Sequence, residues 1–151
     1  MPFSIDGVYT IENVGRDLML DLKGGDTIEG NQIQGYANNN TAAQQWVIKK
    51  QYASESSNKT VTIQSIINGN NGNGFFAAVN QDADEPVVYT RQAFIVDLVP
   101  HADNTYTIRY TLGDANLVLS IPARHTEVTL ETYSPGSLRQ QWQLHRVSNL
   151  Q

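Results

Sequence analysis

Apolar and β-branched residues come along this chain in short bursts, and no helical period persists. The bursts include Val8-Tyr9-Thr10-Ile11, Leu18-Met19-Leu20, Val61-Thr62-Ile63, Phe94-Ile95-Val96, Tyr106-Thr107-Ile108 and Leu117-Val118-Leu119. Turn formers separate them: Gly24-Gly25-Asp26, Asn38-Asn39-Asn40, the run from Asn68 to Gly74, Asp82-Ala83-Asp84, Gly113-Asp114 and Ser134-Pro135-Gly136. Gly, Asn, Asp and Pro each favour tight turns for their own backbone reason. Many short strands at near-regular spacing, broken in this way, predict an all-β barrel or sandwich.

An internal repeat organises the strands. Gln44-Gln45-Trp46-Val47-Ile48 recurs as Gln140-Gln141-Trp142-Gln143-Leu144, and the midpoint between them, Gln92, opens Gln92-Ala93-Phe94-Ile95-Val96. A second phrase occurs three times, as Tyr9-Thr10-Ile11, Val61-Thr62-Ile63 and Tyr106-Thr107-Ile108. A third reads Leu20-Asp21-Leu22, Ala77-Ala78-Val79 and Leu119-Ser120-Ile121. Three units, roughly 1–52, 53–100 and 101–151, follow, each with about four strands. About twelve strands with pseudo-threefold symmetry result, because no unit can bury its apolar face alone. Trp46, Phe94 and Trp142 are then equivalent core plugs. The motif glutamines are read as satisfying turn backbone groups, as buried polar groups must.

Composition narrows the chemistry. The 151 residues suit one domain, with 40% hydrophobic residues for a core and only 17% charged. That balance argues against a coiled coil or a helical bundle. The net charge of −5 leaves no footprint for nucleic acid. Without cysteine there is no disulfide, thiol nucleophile or thiolate metal site. The opening Met-Pro-Phe-Ser-Ile-Asp-Gly has no basic region followed by an apolar run, so the expected address is cytoplasmic. No apolar run approaches the ~18 residues of a membrane helix, so no membrane insertion is expected. His101, His125 and His145 lack metal-ligand spacing, and Asp82, Asp84 and Glu85 sit in a turn-rich stretch beside Pro86. No nucleophile elbow or phosphate loop is present. Neither catalysis, a metal nor a cofactor is expected.

The Gln-x-Trp motif, with Tyr9-Thr10-Ile11-Glu12-Asn13-Val14 and Leu20-Asp21-Leu22-Lys23-Gly24-Gly25-Asp26, resembles the fungal ricin-B-type β-trefoil lectins. The resemblance runs along the whole chain. It implies a β-trefoil, a six-stranded barrel capped by three hairpins, that binds galactose or N-acetylgalactosamine without catalysis. The scaffold is also similar to mushroom β-trefoil protease inhibitors, notably over Ala93-Phe94-Ile95-Val96-Asp97-Leu98-Val99-Pro100, and to the lectin-like light subunit of mushroom tyrosinase. Those likenesses imply a protease or a partner enzyme subunit as alternative partners.

Sugar recognition needs a carboxylate or amide for vicinal hydroxyls, an aromatic platform for the ring, and small residues that permit close approach. The first unit offers Asp21 as acceptor, Lys23-Gly24-Gly25 for approach and Tyr36 as platform, with Asn39 and Gln44 to position the ring. In place of Asp21 the second unit is read to carry Ala78 and the third Ser120. Ricin-type sites commonly hold Asn just before the motif glutamine, whereas here Ala43, Arg91 and Arg139 stand there. The inhibitor alternative needs a basic residue on a protruding loop. Arg124, stiffened by Pro122, and Lys59, in the polar stretch Ser54 to Thr60, are its candidates.

Overall fold

The computed structural model describes residues 6–50, 59–67, 75–78, 86–90, 95–101, 103–110, 117–123 and 126–148. The first unit supplies β1 (Gly7–Asn13), β2 (Leu18–Leu22), β3 (Ile33–Tyr36) and β4 (Trp46–Lys50). The second supplies β5 (Lys59–Ser65), β6 (Phe75–Ala78), β7 (Val87–Thr90) and β8 (Ile95–Pro100). The third supplies β9 (Tyr106–Tyr110), β10 (Leu117–Ser120), β11 (Thr129–Thr132) and β12 (Trp142–Ser148). All pairings are antiparallel. Strand β1 pairs β4, β4 pairs β5, β5 pairs β8, β8 pairs β9, β9 pairs β12, and β12 returns to β1. That ring is a closed six-stranded barrel. The remaining strands form the hairpins β2–β3, β6–β7 and β10–β11, which completes a β-trefoil.

The recurring phrases take equivalent places in the barrel. Tyr9 and Ile11 of β1, Val61 and Ile63 of β5, and Tyr106 and Ile108 of β9 all point into the core, two residues apart as a pleated strand requires. Trp46 and Trp142 are fully buried, and their indole N–H groups donate to Leu20 O (3.0 Å) and Leu119 O (3.1 Å). Each plug is thus tied to the hairpin of its own unit. Phe94, the expected third plug, lies outside the described residues.

The hairpins meet in a triangle. Gln32 bridges Val88, Gln34 bridges Glu127, and Pro86 bridges Thr129. At its centre Ile33, Val87 and Val128 are buried, with Val87 N–H donating to Val128 O (2.9 Å) and Val128 N–H to Ile33 O (2.9 Å). This triangle fixes the alignment of the units. Leu22 faces Ile33 and Ala78 faces Val87, so Ala78 corresponds to Leu22. The counterpart of Asp21 in the second unit is therefore Ala77 and not Ala78, a correction of one residue. Ser120, opposite Thr129, keeps its place as the third-unit counterpart.

Candidate functional site

Asp21 lies in β2 directly opposite Gln34 of β3, and is only 4% exposed. Its Oδ1 accepts a hydrogen bond from Gln34 Nε2 (3.2 Å) and its Oδ2 one from Gln44 Nε2 (3.0 Å). Gln44 is itself locked, since Nε2 also donates to Ala37 O (2.9 Å) and Oε1 accepts from the Asn39 backbone N–H (3.1 Å). Among the described residues no cation pairs with Asp21. Burial pushes its carboxyl above the ordinary carboxylate range, and the hydrogen bonds from Gln44 and Gln34 offset this only in part. A carboxylate offers about four lone-pair sites. Two are taken by the glutamines, and among the described residues no other donor takes the remaining two.

Asp21 and Gln34 line a depression of about 540 Å³. Gly24 and Gly25 line it too, both in the left-handed region at φ 65° and 66°, a conformation that side-chain-bearing residues rarely adopt. Tyr36 contributes a half-exposed ring (51%). Asn39, Thr41, Ala42 and Ala43 enter from the loop ahead of β4, and Ile67 from the chain beyond β5. The Asn39 loop is self-braced, because Asn39 Oδ1 accepts from Thr41 N–H (3.1 Å) and from its hydroxyl (2.7 Å). The site therefore joins a polar floor to an aromatic side chain and a short apolar wall.

Of the residues named from sequence, Asp21, Gly24, Tyr36 and Asn39 come together here. Gln44 does not face the depression. It is 1% exposed and its amide nitrogen donates to Asp21, so it positions the carboxylate. Lys23 also falls outside the lining. Its N–H donates to Gln32 O (3.2 Å) and its carbonyl accepts from Asn31 Nδ2 (2.9 Å), which closes the turn before β3. Gln34 and Ile67 were missed. Hairpin pairing would have exposed Gln34, but Ile67 comes from the next unit and leaves no local signal.

The equivalent places elsewhere are built differently. The second unit carries Ala77, Val88 and Thr90 where the first has Asp21, Gln34 and Tyr36. The third carries Ser120, Thr129 and Glu131. Gln140 repeats the behaviour of Gln44, donating to Thr132 O (3.1 Å) and accepting from Ser134 N–H (2.8 Å), but its remaining donor meets Glu131 Oε1 (3.2 Å). Arg139, in the place of Ala43, lies 3.8 Å from the same oxygen. The third-unit carboxylate is thus on the other strand of the hairpin and engaged within the chain. The buried hydroxyls of Ser120 and Thr129 have no hydrogen-bond partner among the described residues.

The alternative contact residues have other settings. Lys59 opens strand β5 with its backbone paired to Leu98, so it is a barrel residue and not part of a loop. Arg124 lies outside the described residues, as do Asp82, Asp84, Glu85 and His125. His101 Nε2 shares a hydrogen bond with Thr107 Oγ1 (2.6 Å), and His145 Nε2 pairs with Glu12 (3.0 Å). Among the described residues no group of three or more metal-ligating side chains converges, and no helix is long and apolar enough to cross a membrane.

Comparison with curated proteins finds no significant match. Solved structures match closely in shape. The Rhizoctonia solani agglutinin is 25% identical, with a TM-score of 0.78 over 97% of this chain and 100% of that one. ThreeFoil, a designed threefold-symmetric protein, is 17% identical, with a TM-score of 0.79 over 94% and 100%. The Macrolepiota procera ricin B-like lectin, solved in complex with lactose, is 19% identical, with a TM-score of 0.75 over 97% and 100%. A family model described as ricin-type beta-trefoil lectin domain-like matches residues 3–88, more than half of the chain. With its closed barrel, three hairpins and motif glutamines, this chain belongs to the ricin-type β-trefoil lectin domain-like family.

Proposed function

We propose that this protein binds carbohydrate without catalysis, through a single site on its first unit. The observation that carries this reading is the buried, cation-free carboxylate of Asp21, held from behind by Gln44 and flanked by the half-exposed Tyr36. Its two unused lone-pair sites suit vicinal hydroxyls, Tyr36 offers a face for the sugar ring, and Asn39 offers an amide at the rim. Charge-assisted hydrogen bonds of this kind are about twice as strong as neutral ones. The second unit lacks any acid at the corresponding places, and the third engages its own with Arg139 and Gln140. Galactose and N-acetylgalactosamine are the sugars that the family resemblance puts first, and lactose is a further ligand to test.

Calorimetry on wild-type protein and Asp21→Ala tests the reading. One site per chain is expected, with binding lost in the variant while circular dichroism shows that it still folds. Undiminished binding by Asp21→Ala would move the site elsewhere.

A further inference from the structure

We infer that Ile67, a residue of the second unit, makes the first-unit site selective for sugars that carry a methyl group. The inference rests on the carbohydrate-binding reading above and deepens it. Ile67 is held in place by its neighbours: Ile66 N–H donates to Gln45 O (3.2 Å), and Ile67 N–H to Ser65 Oγ (3.0 Å). Its Cδ1 lies 3.3 Å from where a β-carbon on Gly25 would stand, so it abuts the glycine turn across the depression. Ala42 and Ala43 add two more methyl groups to the same lining. The residue before the motif glutamine, where an Asn would present an amide, is here apolar.

The third unit shows that this wall is not a requirement of the fold. There Val14 N–H donates to Gln141 O (2.9 Å), the counterpart of the Ile66 bond, and the next residue is Gly15. A β-carbon on Gly15 would lie 2.6 Å from Arg139 N, so no side chain fits at that place. Only the first of these two equivalent positions presents an isoleucine, beside Ala43 in the place of Arg139. A sugar hydroxyl set against Ile67, Ala42 and Ala43 would lose its water and gain no partner, which is costly. A methyl group there would instead be withdrawn from water. Two sugar chemistries supply one: an acetamido substituent, and a deoxygenated C6 carbon.

Calorimetry with matched pairs tests this on the full chain. N-acetylgalactosamine against galactose and N-acetylglucosamine against glucose form the acetamido arm, and D-fucose against D-galactose forms the deoxy arm. The wild-type protein is expected to prefer the methyl-bearing member by about fourfold or more in one arm, the ratio for one buried CH₂-sized group. Ile67→Thr should bring that ratio close to one, because its hydroxyl offers a partner to the hydroxyl sugar where the isoleucine offers none. Because Ile67 also packs against the core, Ala42→Ser at an exposed position is the second variant, expected to lower the same ratio. Equal affinities within every pair, in a protein whose binding is lost in Asp21→Ala, would overturn this inference alone. A preference untouched by both variants would also overturn it. No binding to any of these sugars would overturn the carbohydrate reading with it.

Discussion

Replacing Asp21 with Asn separates what this residue does for the ligand from what it costs the fold. Gln44 cannot turn its amide, because Nε2 is committed to Ala37 O and Oε1 to the Asn39 N–H. The new side chain must therefore offer its oxygen to Gln44 and its NH₂ to Gln34, whose half-buried amide can reverse. Two hydrogen bonds to a charged acceptor, each worth ~1.5–3 kcal/mol, become neutral ones worth ~0.5–1.5 kcal/mol. Against that loss stands the removal of a buried carboxylate with no cationic partner. Desolvation is the larger influence on Asp21, since its carboxyl is raised despite both hydrogen bonds. Asp21→Asn should then be at least as stable as wild type at neutral pH.

The pH dependence has a definite sign. A folded-state value above the unfolded one means that the stability contributed by Asp21 is full below its unfolded value and is lost as pH rises through the folded one. The advantage of the variant should accordingly open as pH rises through the raised value and be absent in more acidic solution. Binding moves the other way. The ligand loses at least one charge-assisted bond of ~1.5–3 kcal/mol, or about tenfold to over a hundredfold in affinity. Thermal melts across a pH series, beside calorimetry with N-acetylgalactosamine, read both quantities. A variant that is clearly less stable than wild type at neutral pH, or that binds as well, would refute the reasoning.

Three further substitutions test the surroundings. Ala43→Asn places an amide in the depression and should raise affinity for hydroxyl-bearing sugars several-fold to about tenfold, one neutral hydrogen bond's worth, as measured by calorimetry. Gly35→Ala would drive its β-carbon into Ile121 Cδ1 and within 3.2 Å of Leu18, costing ~1–3 kcal/mol in denaturant unfolding. Trp142→Phe copies the residue the second unit has at position 94 but removes the donor to Leu119 O. Losing that hydrogen bond and part of the plug's volume should cost ~1–3 kcal/mol in the same assay.

The barrel was legible because its plugs are chemically distinctive. A Gln-x-Trp at positions 44–46 and 140–142 has few alternatives, and the Tyr-Thr-Ile and Val-Thr-Ile phrases alternate with the period of a strand. The hairpin of the second unit was harder to place, since Phe75-Phe76-Ala77-Ala78 contains no polar residue to mark a face. A slip of one residue there changed no composition, and only the triangle of bridges resolved it. Lys59 read as loop because it follows a serine-rich stretch, and its residue type gives no sign that β5 starts there. In the site, Asp21 and Tyr36 were visible as residue types, whereas the side of Asp21 on which Gln44 stands depends on the turn geometry of 42–44.

The bond from Ile66 to Gln45 has a consequence for how such a protein could be rebuilt. The binding module and the sequence repeat are out of phase: the repeat units open at β1, β5 and β9, while the module begins at β2 and ends at Ile67. Concatenating three copies of residues 1–52 would yield three sites walled by Gly15 and none by isoleucine. Tandem copies of 18–67 would carry the wall along with each floor. Duplication in the first frame preserves the barrel and discards the selectivity, so the boundary chosen for a copy decides whether it inherits a scaffold or a receptor.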